Sequence, residues 1–157
     1  MKFKSLVLFI VLLVSCAVSG ENIRIFTYPD ASNRVWFGVD ILTKSLKKSG
    51  FSVENKLPKY ISKKERTIIV FEKNNPNGAK LLKKLKISLP QNIKKEGFNI
   101  QTKGNITIIC GADGNGAIYG CQETIDRLKD SKKLELPVSL TDAPEMVLRG
   151  TAIGVQK

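Results

Sequence analysis

Ile106-Thr107-Ile108-Ile109-Cys110-Gly111-Ala112-Asp113 runs directly into Gly114-Asn115-Gly116-Ala117-Ile118-Tyr119-Gly120. The first half is β-branched and apolar, which suits a strand. The second half spaces glycines where a chain bends sharply and packs backbone against backbone. From about Gly116 to Lys129, Ile118, Cys121, Ile125 and Leu128 recur at helical spacing, so an amphipathic helix follows the bend. Strand, glycine bend and helix in that order point to a mixed α/β architecture.

The rest of the chain fits around this passage. Phe98-Asn99-Ile100-Gln101-Thr102 and Ile106 to Ile109 flank Lys103-Gly104-Asn105, which predicts a hairpin with a tight turn. Thr67 to Glu72 is almost continuously apolar and predicts a central strand. Asn74 to Gly78 is turn chemistry, and Ala79 to Lys86 carries Leu81, Leu82 and Leu85 on a short helix. Asn22 to Tyr28 predicts a first strand, broken by Pro29-Asp30. Ser32 or Asn33 can cap a helix bearing Val35, Val39, Leu42 and Leu46, and Gly50 suits its end. Phe51 to Asn55, Leu134 to Thr141 and Met146 to Ala152 are further extended segments. The fold class is α+β (mixed α/β): a single sheet of about five strands with helices mainly on one face.

The chain has 157 residues, 42% of them hydrophobic, enough for one domain with a real core. Its net charge of +12 is mostly lysine, with arginine only at positions 24, 34, 66, 127 and 149. Nucleic-acid readers rely on arginine forks, so the charge reads as a solvated surface and no nucleic-acid partner is expected. Histidine is absent, which removes the commonest general base and a common zinc ligand. No metal site or cofactor is expected.

Residues 1–20 have the form of an export signal. Lys2 and Lys4 precede an apolar run from Leu6 to Val14, followed by small residues. Leu13-Val14-Ser15-Cys16 resembles a lipobox, which would make Cys16 a lipidation site; Val18-Ser19-Gly20 offers ordinary cleavage before Glu21. The expected location is the periplasm, cell envelope or exterior, with membrane contact only through a lipid anchor.

Several constellations could carry chemistry. The glycine cluster sits where a dinucleotide loop would sit, but its spacing is Gly-x-Gly-x-x-x-Gly, not the dinucleotide fingerprint. Tight strand-to-helix packing explains it more simply. Asp113 suits a turn or helix cap. Glu123, Glu135, Asp142 and Glu145 offer no two acids on one pocket face, which glycoside hydrolysis requires. Cys110 and Cys121 are a candidate disulfide in an oxidising compartment, with two buried free thiols as the alternative. Tyr28, Trp36, Phe37 and Tyr60 are the aromatics to check for sugar stacking, and Trp36 is expected in or beside the core.

Three passages carry a family resemblance. Glu96-Gly97-Phe98-Asn99-Ile100 is one. Ile108 to Asp113 followed by Gly116 to Glu123 is the second, with Cys121 departing from the family pattern at one position. Asp142-Ala143-Pro144 with Arg149-Gly150 is the third. Together they resemble the accessory α/β domain that precedes the catalytic barrel in family 20 and family 67 glycoside hydrolases. The resemblance implies an accessory domain over residues 21–145 and the start of a catalytic (β/α)8 barrel over 146–157. It implies no catalytic residue within this chain and makes Arg149 the candidate substrate contact. The partners it implies are the chain's own barrel and a glycan substrate. Thr151 to Lys157 lack the Asp and His usual in the hexosaminidase strand, which keeps a uronidase-like relative open. The alternative is a standalone envelope module that binds carbohydrate or anionic polymer.

Overall fold

The computed structural model describes residues 21–58, 60–62, 64–131 and 134–145. Cys16, Arg149 and the extended segment expected over Met146 to Ala152 lie outside these residues. The element order is β1 (Asn22–Phe26), α1 (Asn33–Lys48), β2 (Ser52–Glu54), β3 (Arg66–Glu72), α2 (Pro76–Leu85), β4 (Phe98–Lys103), β5 (Ile106–Gly111), α3 (Gly114–Ser131) and β6 (Ser139–Asp142).

One sheet holds all the described strands in the order β2-β1-β3-β5-β4-β6. β1, β2, β3 and β5 run parallel, while β4 is antiparallel to β5 and β6 is antiparallel to β4. The mixed α/β class is as expected. The sheet has six strands where about five are expected. The short β6 forms at the end of the extended segment expected over Leu134 to Thr141, and its Ser139, Thr141 and Asp142 are exposed. β3 is central and buried over Thr67–Phe71, as its continuous apolar run predicts.

Alternation along the strands splits the core into two layers. Ile23, Ile25, Ile68, Val70, Ile100 and Ile109 face α1 and α3. Phe26, Ile69, Phe71, Ile106, Ile108 and Cys110 face α2, which contributes Leu81. Two of the three helices therefore share a face. Each fully buried Ile or Leu removes enough apolar surface to favour folding by about 1.5–3 kcal/mol.

Local details depart from expectation in three places. α2 begins at Pro76, so part of the Asn74–Gly78 turn is its first helical turn. Asn75 caps it, accepting from the N–H groups of Asn77 and Gly78, and proline suits the first helical position because that N–H is unpaired anyway. Ser32 stands at the N-cap of α1, but its hydroxyl donates to Glu72 Oε1 at 2.7 Å. Trp36 is 46% exposed and Phe37 55%, because the buried stripe of α1 runs through Val35, Val39, Leu42 and Leu46 instead. Gly50, with φ +91°, closes α1 as expected.

Cys110 and Cys121 are both free and buried. They belong to the two different core layers, so the sheet stands between them and the candidate bridge is not formed. Burial pushes both thiols up to about 12; for Cys110, Lys73 opposes the rise.

Candidate functional site

In open α/β sheets, ligands favour the crevice at the carboxyl ends of the strands where the chain reverses its winding. Here that point lies between β1 and β3, and the protein fills it with its own side chains. Glu72, at the end of β3, lies against the N-termini of α1 and α3. Its carboxylate accepts from Ser32 and lies 3.0 Å from where a Cβ on Gly114 would be. Helix N-termini attract anions, and an internal carboxylate meets that need. Asn75 Nδ2 donates to Asp30 Oδ1 at 3.1 Å, which ties the two loops together. The dinucleotide role is unsupported by this geometry.

The first two resemblance passages meet at one corner with Asp142-Ala143-Pro144, the described part of the third. Asp113 accepts from Glu96 N–H and from Gly116 N–H, each at 3.0 Å, and so caps α3 as its position predicts. Ala112 N–H donates to the Gly97 carbonyl at 2.8 Å. A Cβ on Gly116 would run into that same carbonyl oxygen, so only glycine admits the approach. Glu96 holds a left-handed φ of +60° while its carboxylate accepts from Asn115. Beside this knot, Phe98, Tyr119 and Pro144 help line a hollow of about 190 Å³ where the described chain ends. Asn99 fastens the edge there, donating to Leu140 O and Thr141 Oγ1.

A second, open cleft of about 410 Å³ lies at the other end of the sheet. Arg24 on β1 reaches Glu54 Oε2 and Glu65 Oε2, both at 2.9 Å, with only 18% of its side chain exposed. Leu57, Pro58 and Tyr60 form the apolar wall. Sequence reasoning places no two acids on one pocket, yet Glu54 and Glu65 line this one. The parallel register Arg24↔Glu54 creates the pair. Both acids turn an oxygen to the same guanidinium, an arrangement unlike two carboxylates facing across a scissile bond.

The other candidates are accounted for singly. Glu123 pairs with Arg127 at 2.7 Å, and Asp142 accepts from Ala143 N–H. Tyr28 packs against Phe26 and Phe71, both at 6.2 Å between ring centroids. Burial, then the Asp30 charge, pushes its phenol up. Among the described residues no group of three or more His, Cys, Asp or Glu could hold a metal ion, and no helix is long and apolar enough to cross a membrane.

No sequence-family profile matches the chain, and no curated protein does. Solved structures do. A GH138 enzyme targeting pectin rhamnogalacturonan II is 32% identical, with a TM-score of 0.60 over 81% of this chain and 16% of its own. The chain is thus similar to part of a glycoside hydrolase. CpGH84D gives 13% identity and a TM-score of 0.59 over 78% of this chain and 19% of its own. BtGH115A, a 4-O-methyl-alpha-glucuronidase with specificity for decorated arabinogalactans, gives 20% and 0.56 over 78% and 16%. At those two identities the likeness carries the fold alone. The glycoside-hydrolase resemblance thus stands, but these neighbours do not single out families 20 and 67. The chain spans 16–19% of the length of these three structures.

Proposed function

We propose that this chain is the non-catalytic N-terminal domain of an exported glycoside hydrolase acting on polysaccharides or glycans, and that it braces a catalytic barrel. The observation that carries this reading is the GH138 likeness, 32% identical over 81% of this chain but over only 16% of the enzyme. The corner of Glu96, Asp113 and Gly116 supports it, because those polar and glycine positions hold backbone in place. β6 leaves that corner toward residues 146–157, which would open the barrel's first strand with Arg149 as the substrate contact. The leader over residues 1–20 supports export, which either cleavage before Glu21 or lipidation at Cys16 would complete.

The coding sequence beyond Lys157 tests the reading. It predicts an in-frame continuation of about 200 residues or more, the size of a (β/α)8 barrel. In that longer protein, Arg149→Ala should lower kcat/KM for glycan hydrolysis by about tenfold or more, the scale of a lost charged contact. A stop codon after Lys157, or an unchanged kcat/KM, would contradict it.

A further inference from the structure

We infer that the cleft between Arg24 and Tyr60 is a glycan-binding subsite for an uncharged pyranose ring. The choice of a glycan as ligand class rests on the glycoside-hydrolase reading; the site itself rests on its own geometry.

A pyranose has two kinds of surface. One face presents C–H groups, which suit the electron-rich face of an aromatic ring. The rim presents hydroxyls, which suit charged hydrogen-bonding groups held in fixed positions. The cleft offers both. Tyr60 is 77% exposed and Leu57 45%, so an apolar wall stands in water. Tyr60 does not stack on Phe26, Tyr28 or Phe71, the rings that pack together under the second face. In the same lining, Arg24 is held by two carboxylates, and each of these binds it through Oε2. Among the described residues, the Oε1 atoms of Glu54 and Glu65 make no further contact with Arg24 and can accept from hydroxyls.

Size and charge narrow the ligand. About 410 Å³ falls at the lower end of small-molecule sites, which run from about 300 to 1,000 Å³. Among the described lining residues, Arg24 and Lys56 balance Glu54 and Glu65, so these four carry no net charge to select a uronate. The lysine-rich surface elsewhere would attract acidic polymers without this site, and salt would screen that attraction.

The test uses the full chain in its natively processed form, titrated calorimetrically with neutral gluco-, xylo- and galacto-oligosaccharides. Oligogalacturonate serves as the charged comparison. We expect a neutral oligosaccharide to bind with little change on raising salt. Tyr60→Ala should weaken binding about tenfold, the scale of losing one aromatic anchor, while Tyr60→Phe keeps most of it. Glu54→Gln and Glu65→Gln should each weaken it less. Three results would overturn the site: no neutral oligosaccharide binds, binding ignores Tyr60→Ala, or only oligogalacturonate binds and high salt abolishes it. Release of sugar by this chain would overturn a purely binding role. None of these outcomes depends on a barrel beyond Lys157, so the subsite and the bracing role fail separately.

Discussion

The corner where Glu96, Asp113 and Gly116 meet and the cleft where Arg24 meets Tyr60 are built on opposite plans. At the corner nearly every polar group has an internal partner, and glycines bring backbone into contact with backbone. At the cleft an ion triad holds one wall and leaves the other, apolar wall in solvent. The corner carries the motifs that resemble glycoside hydrolases; the cleft carries none of them. Recognisable motifs here mark where a shared scaffold must close tightly, and the open surface lies elsewhere.

The largest effect that can break this contrast is Gly116→Ala. The added Cβ meets the Gly97 carbonyl, which the Ala112 hydrogen bond holds in place. Overpacking against backbone should cost about 3 kcal/mol or more, read as a lower thermal midpoint. A variant as stable as the parent would show that the corner is loose.

Asp113→Ala comes next. It removes the acceptor for two N–H groups, one of them capping α3. About 2 kcal/mol is expected by denaturant unfolding, at the upper end of cap losses. Asp113→Asn should recover part of it.

The cysteines give a smaller, chemical readout. Both thiols are held neutral by burial, with values of about 12 against an ordinary 9. The unfolded chain ionises its thiols first, so stability from this source is whole below about pH 9 and falls as pH rises toward 12. Iodoacetamide at pH 8 should leave Cys110 and Cys121 unmodified in the folded protein and modify both after unfolding. Rapid labelling of the folded chain would contradict the packing of both layers.

Tyr60→Ala should move stability least, within about 0.5 kcal/mol, because the ring is exposed. A large loss would mean that Tyr60 packs structurally and that the contrast between corner and cleft is false.

Legibility in the sequence follows the same division. The Thr67–Glu72 run and the hairpin around Gly104 are local patterns that the fold keeps, and so is the α3 stripe through Cys121, Ile125 and Leu128, though Ala117 and not Ile118 completes it. Asp113 as a cap and the glycines as packing devices are also local chemistry. β6 was legible only in outline: the extended segment expected over Leu134 to Thr141 pairs only at Ser139–Asp142, where short polar side chains give no apolar alternation. The cleft was invisible because Arg24 and Glu54 stand 30 positions apart and become neighbours only through parallel pairing of β1 and β2. The same holds for Ser32, whose hydroxyl looks like a helix cap until Glu72 arrives from 40 residues away. Cys110 and Cys121 are close in sequence, but strand alternation turns Cys110 to the α2 face while Cys121 packs on the other.

The most direct measurement is an amide-resolved NMR titration of the full chain with the tightest-binding neutral oligosaccharide. The account predicts shifts concentrated at Arg24, Glu54, Leu57, Tyr60 and Glu65, with Gly111 to Gly116 unmoved. Shifts concentrated at Gly111 to Gly116 would contradict it, because the ligand would then occupy the corner that the protein closes with its own backbone.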